Sequence, residues 1–428
     1  NETAEPQVDR HLAIVADQLR LPSLELASGS DLHLLWSSRQ ENQREWDLNA
    51  ARLNQTGDLL DEPLLVATAD QDVDSYGTAP DGQGGLYIVW SSDVDGALYG
   101  LQISAAGQIV QEPQQIARQG TDPFLAVAGA DLHMTWWEEG EIHYGVLLRG
   151  EMDELAGEVV ANRELNDGQT LDGPVLGVAS DWAYVLWSVF SSSGLHAGTA
   201  VTEFVAFPKN TPAVSSAQQI FTSTAEDQPY IPYDSAYQIT QLAPPSTVAA
   251  SSDFVHQPHP ATGRGNELAV AVTLDQERRL DMLKQLGILL FKDGKFVGHQ
   301  MAGKTEAFSQ APVLAGDADG NLYIAWREGG QGSVAQYAVT TPLGRSTLDR
   351  VNGSDIANLF LGSGIEIITG VLFFPLAGLW ILPGLILFGL WHLWRGDDDQ
   401  FNVETIVVLL LAIAVSQAVK FAFLPVIS

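Results

Sequence analysis

One short pattern recurs along this chain, and it limits the available folds more than any other feature. It reads DLHLLWSS ending at Ser38, GLYIVWSS ending at Ser92, DLHMTWWE ending at Glu138, WAYVLWSV ending at Val189 and NLYIAWRE ending at Glu328. Trp36, Trp90, Trp136, Trp187 and Trp326 share one place in it, and Val272 holds that place in a sixth copy, ELAVAVTL. Successive landmarks lie 54, 46, 51, 85 and 54 residues apart. The flanks repeat as well: Leu48–Thr68 and Leu98–Arg118 align at an offset of 50 without a gap, with Gly57/Gly107, Glu62/Glu112, Pro63/Pro113 and Ala67/Ala117 identical.

Upstream of four of the tryptophans lies an apolar run, PSLELASGSD, DPFLAVAGAD, DGPVLGVASD or QAPVLAGDADG. Each unit therefore resolves into four short β-type runs separated by Gly, Asp, Asn and Ser turns. Four strands in about 50 residues is the signature of a propeller blade, which buries its faces only against its neighbours. The predicted fold is all-β: a six-bladed β-propeller, or a seven-bladed one if the 85-residue interval hides a degenerate unit, followed by C-terminal transmembrane α-helices. The repeated tryptophan is read as inter-blade packing. His33 and His133 stand where other copies have Tyr87, Tyr184 and Tyr323, so they are read as packing residues with a polar tip and not as metal ligands.

The expected domains are an N-terminal segment over 1–20, a propeller over 21–352 with an insertion near 205–265, and a membrane region over 353–428. The segment HLAIVA, His11–Ala16, is expected to supply the outer strand of the last blade and close the ring, protecting edges that would otherwise aggregate. In the tail, Ile356–Trp394 contains one charged residue, Glu366. As a helix it would reach about 58 Å, too long for a single span of roughly 30 Å. Asn358, Gly362, Glu366 and Thr369 form one stripe on such a helix, which marks Asn358 and Glu366 as candidate contacts to membrane partners. Trp391 and Trp394 suit an aromatic belt, and Lys420 can snorkel from the second apolar run, Thr405–Leu424. Two spans are expected, over 355–394 and 403–424, with a hairpin near Pro375 giving three as the alternative. The opening at Asn1 is read as a chain whose signal peptide has been removed, and the ending FLPVIS as one that continues into further spans.

The 428 residues carry 21 Lys and Arg against 53 Asp and Glu, a formal charge of −32. That excess argues against nucleic acid as a partner, since phosphate needs clustered cations. It fits a solvated domain held away from anionic headgroups, hence an extracytoplasmic propeller on a multi-pass membrane anchor. With no cysteine there is no disulfide framework, thiolate nucleophile or Cys-ligated zinc.

The P-x-apolar-x-apolar-A run, the following G-N-L-Y-I-A-W strand and the third strand ending in a Gly turn resemble the BNR-like repeats of sialidase-type β-propellers over roughly Leu21–Thr341. The resemblance implies the propeller fold. That family's Asp-box, Ser-x-Asp-x-Gly-x-x-Trp, is echoed loosely by Ser92-Asp93-Val94-Asp95-Gly96. Its sialidases act through an arginine triad, an Asp acid/base and a Tyr/Glu pair, none of which maps onto residues of this chain.

Other chemistry is sparse. Asp70, Asp72 and Asp74, and likewise Asp317, Asp319 and Asn321, place oxygens at alternate positions as calcium loops do, beside the plainer reading of turns. Calcium is the only cofactor considered on these grounds. His256 and His259 lie three apart in HQPHP, but the prolines preclude a helix that would aim them together. No G-x-S-x-G elbow or P-loop occurs. Tyr230, Tyr233 and Tyr237 cluster in the insertion as candidate partner contacts. Asn-x-Ser/Thr sequons begin at Asn1, Asn54 and Asn352. The reading these features favour is a membrane-anchored binding or scaffolding propeller, an accessory subunit of a membrane complex with integral-membrane partners. A glycan-active hydrolase and the sensory domain of a channel or transporter are the alternatives.

Overall fold

The computed structural model describes residues 18–26, 32–39, 45–54, 58–68, 71–148, 152, 155, 157–194, 197–220, 230–245, 254–278, 281–302, 308–329, 334–341, 382, 384–394 and 403–423. They fall into two units, Asn1–Arg345 and Ser346–Ser428. The first is a six-bladed propeller of antiparallel sheets. Blade 1 is β1–β4 (Gln18–Leu26, Leu32–Arg39, Asp47–Leu53, Leu64–Ala67) and blade 2 is β5–β8 (Val73–Pro80, Leu86–Ser92, Leu98–Ile103, Ile109–Ala117). Blade 3 is β9–β12 (Thr121–Ala128, Asp131–Glu138, Glu141–Leu148, Glu158–Asn162) and blade 4 is β13–β16 (Gln169–Val178, Trp182–Ser191, Thr199–Pro208, Gln218–Gln219). A two-stranded sheet, β17–β18 (Ile231–Pro232, Gln241–Leu242), precedes blade 5, β19–β22 (Phe254–Pro260, Glu267–Arg278, Asp281–Lys292, Lys295–Met301). Blade 6 shows three strands among the described residues, β23–β25 (Ser309–Gly316, Leu322–Glu328, Val334–Val339).

The second strand of each blade shows why the pattern recurs. Successive side chains on a strand point to opposite faces, so a strand between two neighbours must be apolar on both. Leu86, Ile88 and Trp90 pack back on Leu35, Leu48 and Ala50 of blade 1. Tyr87 and Val89, in the alternate positions, pack forward on Leu132, Met134 and Trp136 of blade 3. Blade 4 repeats the rule, with Trp187 turned back to Ile142 and Tyr144, and Tyr184 and Leu186 turned forward to blade 5. The landmark tryptophan thus faces the preceding blade. Blade 5 has Val272 there, and Phe204 and Phe291, with ring centroids 5.0 Å apart, add bulk to the same core between blades 4 and 5.

The long interval is an insertion, not a seventh blade. Outside the blades it runs over 220–253. Ala243 exchanges backbone hydrogen bonds with His299 of β22 (2.8 and 2.9 Å), capping that edge of blade 5. Tyr237, Ile239 and Leu242 enter the core between blades 5 and 6. The expected boundary at residue 20 falls inside β1, the innermost strand of blade 1. His11–Ala16 lies outside the described residues.

In the second unit, helices cover 384–394 and Val403–Phe423. Among the described residues no helix is long and apolar enough to cross a membrane, so the spans predicted over 355–394 and 403–424 are not found as such. Most of the first predicted span, with Asn358 and Glu366, lies outside the described residues.

Trp187 is fully buried, and its Nε1 donates to Glu203 at 2.9 Å. Trp187→Ala should cost about 3–5 kcal/mol in equilibrium denaturation. The half-buried Trp326 should cost clearly less on the same substitution, and equal losses would remove inter-blade packing as the reason for the repeat.

Candidate functional site

The innermost strands converge on the axis, and each breaks register near its start. The shift falls between Arg20 and Ser23, Val73 and Tyr76, Asp172 and Val175, His256 and His259, and Gln310 and Val313; on β9 it falls at Asp122–Pro123, opposite Thr135 and Trp137. Pro22, Pro123, Pro174, Pro258 and Pro312 stand at these bulges. An innermost strand is a sheet edge, where proline's missing N–H removes no ladder bond. Before four of these prolines, Asp122, Gly173, Gln257 and Ala311 take positive φ of 51°, 99°, 55° and 53°. A bulge of this kind re-aims its side chains, here at the mouth of the axial channel.

Three consecutive blades place a carboxyl there: Asp74, Asp122 and Asp172. The Asp122 amide donates to Ser75 Oγ at 2.9 Å, and Ser75 and Ser91 hydroxyls lie 2.8 Å apart, tying blades 2 and 3. Burial, then the charges of Asp74 and Asp172, push the Asp122 carboxyl up to about 6 against the hydroxyls of Thr121 and Ser75. Burial also raises Asp172, with His256 opposing it. His256 Nε2 lies 2.9 Å from Asp275 Oδ1, while its Nδ1 has no partner in a side chain that is 3% exposed. Burial works to raise Asp275, but His256 and Lys284 outweigh it and hold this carboxyl below its usual range.

Inside the mouth is a cavity of about 370 Å³, formed by β5, β9, β13, β19 and β23 with the residues that follow β19. Tyr76, Phe124, Leu176, His259, Thr262 and Leu314 are among its lining residues. These strands begin or end their sheets, so their unladdered backbone edges share the wall with apolar and aromatic side chains. His259 Nδ1 accepts the Leu314 amide at 3.1 Å, and burial pushes the ring down to about 4. The imidazole is neutral at pH 7, with its proton on Nε2.

Of the residues singled out in the sequence, Asp74, His256 and His259 belong to the bulged part of the innermost strands, and His259 lines the cavity. Asp72 Oδ1 accepts the Trp46 amide (2.9 Å), and Asp70 lies outside the described residues. Asp317 closes a hairpin turn: Oδ1 accepts the amides of Asp319 and Asn321, and Oδ2 accepts the Asn321 side chain and the Tyr323 hydroxyl, all within 3.0 Å. Asp81 does the same in blade 2 with the amides of Gln83 and Gly85, so both carboxylates brace a turn. Among the described residues no group of three or more His, Asp or Glu is placed to hold a metal ion. Tyr230 is exposed and Tyr233 half-buried, whereas Tyr237 is sealed in the core with its hydroxyl donating to Thr262 O at 2.7 Å. It packs blades and offers nothing to a partner. His33 and His133 are buried, with His33 Nε2 at 3.0 Å from Gly84 O and His133 Nδ1 at 2.7 Å from the Tyr144 hydroxyl. Asp122 and Asp172 were not identifiable as a site from the sequence, and His256 was considered there only with His259. The available signal was an acid or polar residue within two positions of the bulge proline in five of the six first-strand runs; blade 2, with Asp74, has no proline there.

No family model matches the chain, and no curated protein does. Among solved structures it is similar to a protein of unknown function from Dyadobacter fermentans, at 7% identity and TM-score 0.43 over 74% of this chain and 92% of that one. It is similar to a polysaccharide lyase, a PL25 ulvan lyase, at 11% identity and TM-score 0.42 over 73% and 81%. A neuraminidase-like protein of A/flat-faced bat/Peru is similar at 10% identity and TM-score 0.40 over 75% and 86%. The class defined by the chain's own geometry is the six-bladed β-propeller, and likenesses this distant say nothing of activity.

The raised Asp122 carboxyl has a definite linkage sign. The folded state holds a proton that the unfolded state has released between pH 4 and 6, so stability falls as pH rises through that window, by about 2–3 kcal/mol. The buried His133 and His259, both pushed down to about 4, act in the opposite sense and lose stability as pH falls from 6.5. Asp122→Asn should therefore raise the melting temperature at pH 7.5 and leave it nearly unchanged at pH 4. A variant no more stable than wild type at pH 7.5 would show that the carboxyl is hydrated.

Proposed function

We propose that this chain is a ligand-binding propeller that takes its ligand in the axial pocket, and that its C-terminal apolar stretches hold it at a membrane as an accessory subunit with the propeller on the extracytoplasmic side. The observation that carries the binding role is the cavity of about 370 Å³ among the innermost strands of blades 2 to 6. A closed ring of blades presents its axis as the natural concave site, with polar groups at the rim and apolar walls within. The membrane role is supported by the two apolar runs of the tail and by Ile406, Val407, Leu410 and Ile413, all exposed on the helix Val403–Phe423.

Two measurements test this. The full chain should stay with the membrane pellet after alkaline carbonate washing, and release into the supernatant would end the anchored reading. Native mass spectrometry of chain purified from its own membranes should show a bound small molecule that is lost in Thr78→Trp, which fills the cavity; identical spectra would remove the axial site.

A glycan-active hydrolase is a second reading, favoured by one feature. A carboxyl held up to about 6 beside neighbouring carboxylates is the arrangement of a general acid and its base or nucleophile. Turnover of a fluorogenic glycoside panel near pH 5.5, reduced about a hundredfold or more by Asp122→Asn, would replace the binding role with catalysis. Turnover unaffected by that substitution would exclude this site as its source.

A further inference from the structure

Charge is missing from the wall of the axial cavity. None of its lining residues is Asp, Glu, Lys or Arg, although the chain carries 53 acids. A charged molecule entering it would lose hydration and meet no opposite charge on the wall. The lining holds one imidazole, His259. It belongs to blade 5, yet its Nδ1 accepts the Leu314 amide of blade 6 at 3.1 Å, and its ring stands edge-on to Phe124 of blade 3 with centroids 6.3 Å apart. Blades 3 and 5 are not neighbours, so these contacts place the imidazole across the axis, inside the cavity that both residues line. Burial outweighs the backbone groups of Leu314 and Pro260 beside the ring, so it is neutral at pH 7. Because Nδ1 accepts from blade 6, the ring's own proton is on Nε2, at its opposite side. Thr78 and Thr262 add hydroxyls, which serve as donor or acceptor alike.

We propose that the axial pocket takes an uncharged organic molecule that carries an oxygen acceptor on an apolar ring, with the oxygen on His259 Nε2–H and the ring against Phe124 and Leu176. This deepens the binding role above and rests on the axial pocket being the ligand site. A carbonyl or ether oxygen suits a donor whose tautomer is fixed by blade 6, whereas a ligand offering only N–H groups would set donor against donor. The apolar ring takes the area of Phe124 and Leu176 out of water. The wall also selects by rejection, because a carboxylate or an ammonium would give up its hydration for a surface without counter-charge.

The test is isothermal titration of the full chain in detergent at pH 7.5 with three probes of similar size, the heats read against the same detergent without protein. They are acetophenone, α-methylstyrene, in which a CH₂ group replaces the carbonyl oxygen, and benzoate. Acetophenone should bind about tenfold tighter than either of the others. His259→Phe should bring acetophenone down to the affinity of α-methylstyrene and leave the latter nearly unchanged, a split that a collapsed pocket would not give. Equal affinities of these two probes for wild type overturn the acceptor assignment, whether or not the variant folds, and would mean that the Pro260 carbonyl keeps the proton. Benzoate binding as tightly as acetophenone overturns the uncharged class, and no heat from any probe overturns the proposal. Thr78→Trp separates the two levels. If the probes bind without discrimination and Thr78→Trp abolishes that binding, the pocket stands and the ligand class falls. If binding survives Thr78→Trp, the pocket itself is wrong.

Discussion

Everything in the propeller depends on sheets covering one another's faces. A single four-stranded blade has two greasy sides and no means of hiding either, so its stability is borrowed from the blades beside it. The second strand carries this burden because it lies between partners on both faces and in both ladder directions. Its alternate residues form two separate cores, one backward and one forward, as Trp90 and Val89 show. The same constraint explains how the tryptophan could be lost once. Bulk at the interface is what matters, and in blade 5 it comes from Phe204 and Phe291.

The axial site follows from this arrangement. Stacking blades face to face leaves each innermost strand as an unpaired edge turned toward the centre. Such edges invite pairing, and proline-containing bulges interrupt them one residue after another around the ring. A bulge that blunts an edge also swings its neighbours, which is how Asp74 and Asp122 come to the mouth although they belong to different sheets.

Much of the architecture is legible in the residues and little of the site is. Period-two alternation in GLYIVWSS or WAYVLWSV states both the strand and its double burial, so blade number and spacing follow. Asp317-Ala318-Asp319-Gly320-Asn321 is ambiguous as a sequence, because an Asx turn and a calcium loop both ask for oxygens at alternate places; the hydrogen bonds on Asp317 show the turn. Tyr237 misleads for another reason. A tyrosine in a Pro- and Ser-rich stretch looks like surface, yet this insertion folds back and spends its aromatic residue on the gap between blades 5 and 6. The acidic arc was hidden because its members lie about 50 residues apart, each in an unremarkable run. Only the stacking of consecutive blades brings them near one another.

The mouth is also where the fold departs from its own stability. Between the blades some buried polar groups are matched, as Ser188 is with Thr202 and Trp187 with Glu203. Around the axis, a buried carboxyl is crowded by two others, a histidine nitrogen lacks a donor and a non-glycine residue sits at positive φ. Packing alone would favour an asparagine at 122 and an apolar residue at 172. Local frustration of this kind concentrates where a protein must meet something outside itself. In this chain, it is spread over three blades, so no single blade bears the cost, and the cores between blades 2, 3 and 4 are what set the positions of the strands that carry these carboxylates.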